Sequence, residues 1–382
     1  MGDYTLQMND AIWNKYTEYD TEDYEFDKLI KYLNSSNFRS FKEGLISFIQ
    51  PRAKEGEVPI DCLKRCCIEN DVDIYKDLAT RNTIKDWFSG VRSPQKGEDS
   101  RRKMFVLAFA LSLNTDETAD LIQKVFLDRA FNPRNYKELI YYYCIERGLS
   151  LKQADNIISK INIQTASPTD KTVYTQEIAT VINQVQDDDK LIEYINTHPH
   201  NFSISNKSAK EAVDKYIRKA KEYIKKEIVS PAFDEIKSGK TTDSINFMYE
   251  VIISQPTTNE KGTKTIFGNA ELPKEIKVNF PEATTFSKKE PTYDELRKML
   301  VLLFSYCFWY NVQYQNTTEY DIDDYITQIN DLLYQVGLAP IYPGNPFDWM
   351  FCFCTLQEMP LDTFRAIIAD ALDGEGFENF ED

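Results

Sequence analysis

The chain has 382 residues, enough for two or three domains with cores of their own. Its 42% hydrophobic and 13% aromatic content excludes a long disordered protein. Its net charge of −16 excludes a general nucleic-acid coat, because a uniformly acidic surface repels phosphate.

The first residues are acidic and aromatic, and Met1–Asp10 lacks the apolar stretch of a secretory signal. Periodicity then predicts helices over Asp27–Leu33 and Phe38–Ile49, broken by Pro51 and Gly56. Three short helices follow near Ile60–Glu69, Val72–Leu78 and Thr83–Ser89, the last closed by Gly90. Val91–Ser100 reads as a polar loop and Arg102–Leu113 as a buried helix. Asn114 with Glu117, Ser150 with Gln153, and Thr292 with Glu295 have capping-box spacing and predict three further helix starts. Thr165–Thr172 and Gln255–Glu271 are polar linkers, and Lys207–Ile228 is a long lysine-rich amphipathic helix. Met299–Tyr310 is apolar except for Ser305, but its 12 residues fall short of the ~20 that cross a bilayer.

The fold class expected is therefore all-α: a helical multi-domain array with an internally duplicated helical module. The duplication rests on two blocks. Residues 102–111 and 297–306 share six of ten positions at an offset of 195. Asn132–Ile158 aligns without a gap to Tyr342–Ile368 at an offset of 210, pairing Pro133 with Pro343, Asn135 with Asn345 and Cys144 with Cys354. The domain boundaries read from the linkers are 1–57, 58–165, 173–240 and 241–382.

Chemistry-bearing motifs are sparse. The two histidines, His198 and His200, flank Pro199 in a polar turn with no cysteine near in sequence, which reads as a solvated loop rather than a zinc site. The seven cysteines lack CxxC spacing, sit beside apolar residues and read as reduced, buried thiols of a cytoplasmic protein. Acidic clusters such as Asp187–Asp189 suit helix starts or solvated surface. The expectation is no catalytic residue, no metal and no cofactor. Arg81–Lys103 stands apart, with seven cations against Asp86, Glu98 and Asp99, and calls either for an anionic partner or for docking against the chain's own acidic segments.

The stretch Arg81-Asn-Thr-Ile-Lys-Asp-Trp-Phe-Ser-Gly90, then Pro94 and Phe105–Leu113, resembles the end of a Cro/repressor-type helix-turn-helix domain, over about Val58–Phe126. The Tyr-rich helix after Phe131–Asn135 and the segment Leu338–Trp349 resemble extensions in uncharacterised helical proteins of Gram-positive anaerobes. The resemblance implies that Arg81, Asn82 and Lys85 face a major groove, that Arg92, Lys96 and Arg101 touch phosphates, and that Trp87 and Phe88 are core. Arg102 joins the candidate contacts of this basic segment. Asp61, Glu69, Asp71, Asp73 and Asp77 depart from the pattern, since a DNA binder favours neutral or basic residues there.

Two functions follow. The first is a non-enzymatic regulator or adaptor working through protein–protein contacts, which requires an exposed apolar groove. The alternative is a sequence-specific DNA-binding regulator using residues 81–103, which requires a solvent-exposed Arg81/Asn82/Lys85 face. Neither involves a membrane, and both are compatible with a homo-oligomer.

Overall fold

Met104–Ala110 is an unbroken run of buried residues, so its helix is surrounded and not merely laid on a surface. The same holds in the second half of the chain, where Met299–Cys307 is buried throughout. Each run is the axis around which one core assembles. The computed structural model describes residues 26–34, 38, 40–94, 97–132, 135–162, 185, 187–202, 207–229, 244–253, 276, 280–314 and 322–369. Among these residues there is no strand.

The chain divides into two compact units, Arg39–Ser205, and Met1–Phe38 with Asn206–Asp382. This differs from the four consecutive domains read from linker composition, because residues 40–57 pack into the same core as the helices that follow them. Both polar linkers lie outside the described residues.

The unit Arg39–Ser205 contains α2 (Phe41–Ile49), α3 (Pro59–Glu69), a single wide turn of π-helix (Ile74–Leu78), α4 (Arg81–Ser89), α5 (Glu98–Ala110), α6 (Thr115–Asp120), α7 (Tyr136–Glu146), α8 (Leu151–Ser159) and α9 (Asp188–Thr197). The boxes expected at Asn114–Glu117 and Ser150–Gln153 are both closed, each side chain reaching the other residue's backbone N–H. Gly90 ends α4 at φ 80°, a left-handed conformation that suits glycine. α5 begins at Glu98, inside the expected polar loop. Gly44 of α2 approaches Val125 so closely that a Cβ there would sit 2.8 Å from its methyl carbons. Arg65 of α3 forks onto Glu57 at 2.8 and 2.9 Å and onto Glu69.

The Arg65 hydrogen bonds, with the Lys54 N–H, hold the Glu57 carboxyl down from the usual 4.5 to about 2. A depressed carboxylate pKa contributes stability above the unfolded value, and that stability is lost as pH falls towards the folded one. Thermal midpoints measured from pH 5 to 2 should therefore converge for wild type and Glu57→Gln at the acid end. A separation that stays constant over that range would contradict the assignment.

The other unit contains α1 (Phe26–Leu33), α10 (Lys207–Glu227), α11 (Ile245–Ile253), α12 (Tyr293–Tyr314), α13 (Ile322–Gln335), α14 (Pro346–Thr355) and α15 (Pro360–Ala369). α12 packs along α10, α13 and α15. Its start has the expected box, with Thr292 and Glu295 each accepting the other's backbone N–H. Trp349 is fully buried, its ring stacked on Phe353 at 5.2 Å and facing Tyr32 and Phe38 at 5.0 and 5.8 Å.

Each unit holds an arginine clamped onto a buried carboxylate and two backbone carbonyls, and Arg101 pairs in addition with Asp128 at 3.0 Å. Arg101 Nε and Nη2 donate to the Glu138 carboxylate at 2.8 and 2.7 Å, and its Nη1 and Nη2 to the Arg129 and Ala130 carbonyls. Arg297 Nη1 and Nη2 donate to Asp348 at 3.0 and 2.7 Å, while its Nε and Nη2 reach the Ala339 and Pro340 carbonyls. Each carboxylate also accepts a backbone N–H, from Asn132 or Tyr342 at 2.9 Å. Asn135 and Asn345 then cap the next helices, accepting the Lys137 and Phe347 N–H groups. Every one of these partners lies 210 residues from its counterpart, but the arginines are 196 apart. In bonding, the counterpart of Arg297 is Arg101, one residue from the Arg102 that sequence identity pairs with it.

Candidate nucleic-acid interface

α4 has two unlike sides. Ile84 and Trp87 are 2% exposed and face the core, where Trp87 meets Phe41 edge to face at 5.5 Å. Phe88 is half-buried against the same core. A helix turns 100° per residue, so with 84 and 87 inward, 82 and 85 point outward and 81 lies on the flank of that face at the helix start. Arg81, Asn82 and Lys85 are all exposed. Thr80 caps this end, its hydroxyl accepting the Thr83 N–H. Among the described residues neither Arg81 nor Lys85 pairs with a carboxylate.

The acidic residues that break the helix-turn-helix pattern are engaged locally. Asp61 pairs with Lys64 at 2.7 Å, Glu69 with Arg65 at 2.9 Å, and Asp71 with Lys152. Asp73 accepts the Tyr75 and Lys76 N–H groups, and Asp77 accepts that of Asp73. Three of the five are thus offset by a cation, and two close the wide turn.

The remaining candidates divide. Arg92 is exposed, with its Nε 4.0 Å from Asp86 Oδ2. Lys96 lies outside the described residues. Arg102 is partly covered, donating to the Asp77 carbonyl at 2.9 Å with Asp155 3.6 Å away. Arg101 does not belong to the exposed face: it is 7% exposed and clamped by Glu138 and Asp128. Burial alone would lower its pKa, and the two carboxylates outweigh that and raise it. A signal for this was present, since Arg101 shares the spacing 101, 104, 105, 108 with buried Met104, Phe105 and Ala108.

Elsewhere the reactive groups are insulated. All seven cysteines are buried and none forms a disulfide, and burial pushes the Cys67, Cys144 and Cys307 thiols up to about 12, which leaves them protonated at neutral pH. His198 stacks on Tyr194 at 4.7 Å, with its Nδ1 3.0 Å from the Tyr194 carbonyl oxygen. Among the described residues no three of His, Cys, Asp and Glu are grouped to hold a metal ion, and no helix is long and apolar enough to cross a membrane. Comparison with family models, curated proteins and solved structures found no match.

Proposed function

We propose that the chain is a DNA-binding regulator that sets the start of α4 in the major groove, with Arg81, Asn82 and Lys85 towards base edges and Arg92 on a phosphate. The observation that carries this reading is the exposed, carboxylate-free Arg81/Asn82/Lys85 face on a helix anchored from behind by Trp87. Charge distribution supports it. Arg39–Ser205 has 23 Lys and Arg against 24 Asp and Glu, a net −1, and the rest of the chain carries −15. The acidity that argues against phosphate therefore belongs almost wholly to the other unit. A regulator of this kind acts in the cytoplasm.

The same reading takes the two units as carrying one copy each of a duplicated module: long helix, second helix, Asn-capped helix, final helix. What supports it is the shared clamp and cap at a spacing of 210.

Selection of duplexes from a random pool by the full chain at low salt tests the function. Recovery of a defined site is expected. Asn82→Ala should change the preferred sequence, by ~1–3 kcal/mol at one base pair. Arg92→Ala should weaken all sequences alike and lower the salt slope by about 1. If no site is recovered, α4 meets an acidic protein surface instead, and the adaptor reading takes its place.

A further inference from the structure

The wide turn before α4 carries an exposed aromatic ring in an unusual setting. Tyr75 is 44% exposed, although it sits in a segment whose backbone is fixed from several sides. The Asp73 carboxylate takes the Tyr75 and Lys76 N–H groups at 3.0 and 3.1 Å. The Asp77 carboxylate takes the Asp73 N–H at 2.9 Å, and Arg102 of α5 donates to the Asp77 carbonyl. The turn is thereby tied at its start and to α5. The Arg81 guanidinium carbon lies 5.5 Å from the centroid of the Tyr75 ring.

An arginine at an exposed helix start normally samples many rotamers, and the ones that miss the ligand cost affinity. An aromatic face attracts the guanidinium and narrows that set. A ring carried on a backbone tied in this way does so from a defined place just before α4. Tyr75 therefore has the geometry of a platform and Arg81 that of the group it aims.

We propose that Tyr75 is a positioning residue that orients Arg81 for bidentate recognition of guanine, through O6 and N7 in the major groove. The proposal rests on the DNA-binding reading above and adds to it the base that is read and the residue that makes the reading selective. Guanine follows from the donor geometry: a guanidinium offers paired N–H groups, and guanine alone presents two adjacent acceptors on its major-groove edge.

The test uses the full chain throughout. The duplex selected by wild type is compared with variants changed at each position, for wild type, Arg81→Ala, Tyr75→Leu and Tyr75→Phe, with helical content checked by circular dichroism. One guanine should lose its preference by about tenfold in Arg81→Ala. Tyr75→Leu should reduce the same preference by about two- to fivefold, leaving other positions and the salt slope unchanged. Tyr75→Phe keeps the ring face and should behave as wild type. A merely structural role for Tyr75 would weaken all duplexes alike, and that result overturns the proposal while leaving DNA binding intact. A selected site with no Arg81-dependent guanine also overturns it. Failure of wild type to select any duplex overturns both this proposal and the reading on which it rests.

Discussion

Arg365→Leu should destabilise the unit that contains it by about 3–5 kcal/mol, read as a lowered urea midpoint at unchanged slope. The arginine is fully buried on α15, and apart from Asp362 at 3.9 Å on the same helix the partners that follow come from other helices. Its Nη1 donates to Glu227 Oε1 at 2.6 Å at the end of α10. Its Nη2 and Nε donate to the Val251 and Ile252 carbonyls at 2.8 and 3.4 Å, in the last turn of α11. The Tyr306 hydroxyl of α12 donates to Glu227 Oε2 at 2.8 Å. Leucine fills much of the volume but removes the cation paired with Glu227 and the donor to the two carbonyls, which is the costly outcome for a buried pair. The α11 carbonyls also lose a cation at their helix C-terminus. Arg365→Lys keeps the charge but has no planar fork to span Glu227 and Val251 together, so it should recover only part of the loss. A midpoint unchanged in Arg365→Leu would show that the network contributes nothing net.

Much of this architecture is legible in the chain, and what is not has identifiable causes. Capping boxes are local, needing only two residues three apart, so the helix starts at Thr115, Leu151 and Tyr293 follow from sequence. Gly90 is legible for the same reason. The two-unit division is not, because it depends on residues 40–57 joining a core formed by residues up to 202. α4's outward face follows from Trp87 and the 3.6-residue period. The fate of Arg101 does not follow from composition, where it adjoins Arg102 and Lys103 and looks like one more surface cation. Its spacing with Met104, Phe105 and Ala108 points it inward, but the carboxylate partners that make its burial tolerable lie 27 and 37 residues further on. Tyr75 is invisible for a related reason: nothing in sequence says that an exposed tyrosine six residues before an arginine will lie beneath it.

The paired clamps lead to the second large effect. Arg297→Met should cost about 3–5 kcal/mol, because Asp348 is 1% exposed and would keep the Tyr342 N–H but no cation. Arg101→Met should fall at the upper end of that range, since it removes a cation from both Glu138 and Asp128. If the units carry copies of one module, the damage should also have the same local form. In each case the arginine ties the approach of residues 129–132 or 339–342 to the carboxylate on the first turn of the Asn-capped helix. Hydrogen exchange should therefore accelerate at the start of α14 in Arg297→Met and at the start of α7 in Arg101→Met, with the other unit's protection retained. Removing the partner as well, in Arg297→Met with Asp348→Leu, should restore a large part of the stability, because two apolar groups replace a desolvated pair. If the double variant is no more stable than Arg297→Met alone, the cost comes from the lost carbonyl contacts to Ala339 and Pro340, and the clamp acts as a backbone staple instead of an ion pair.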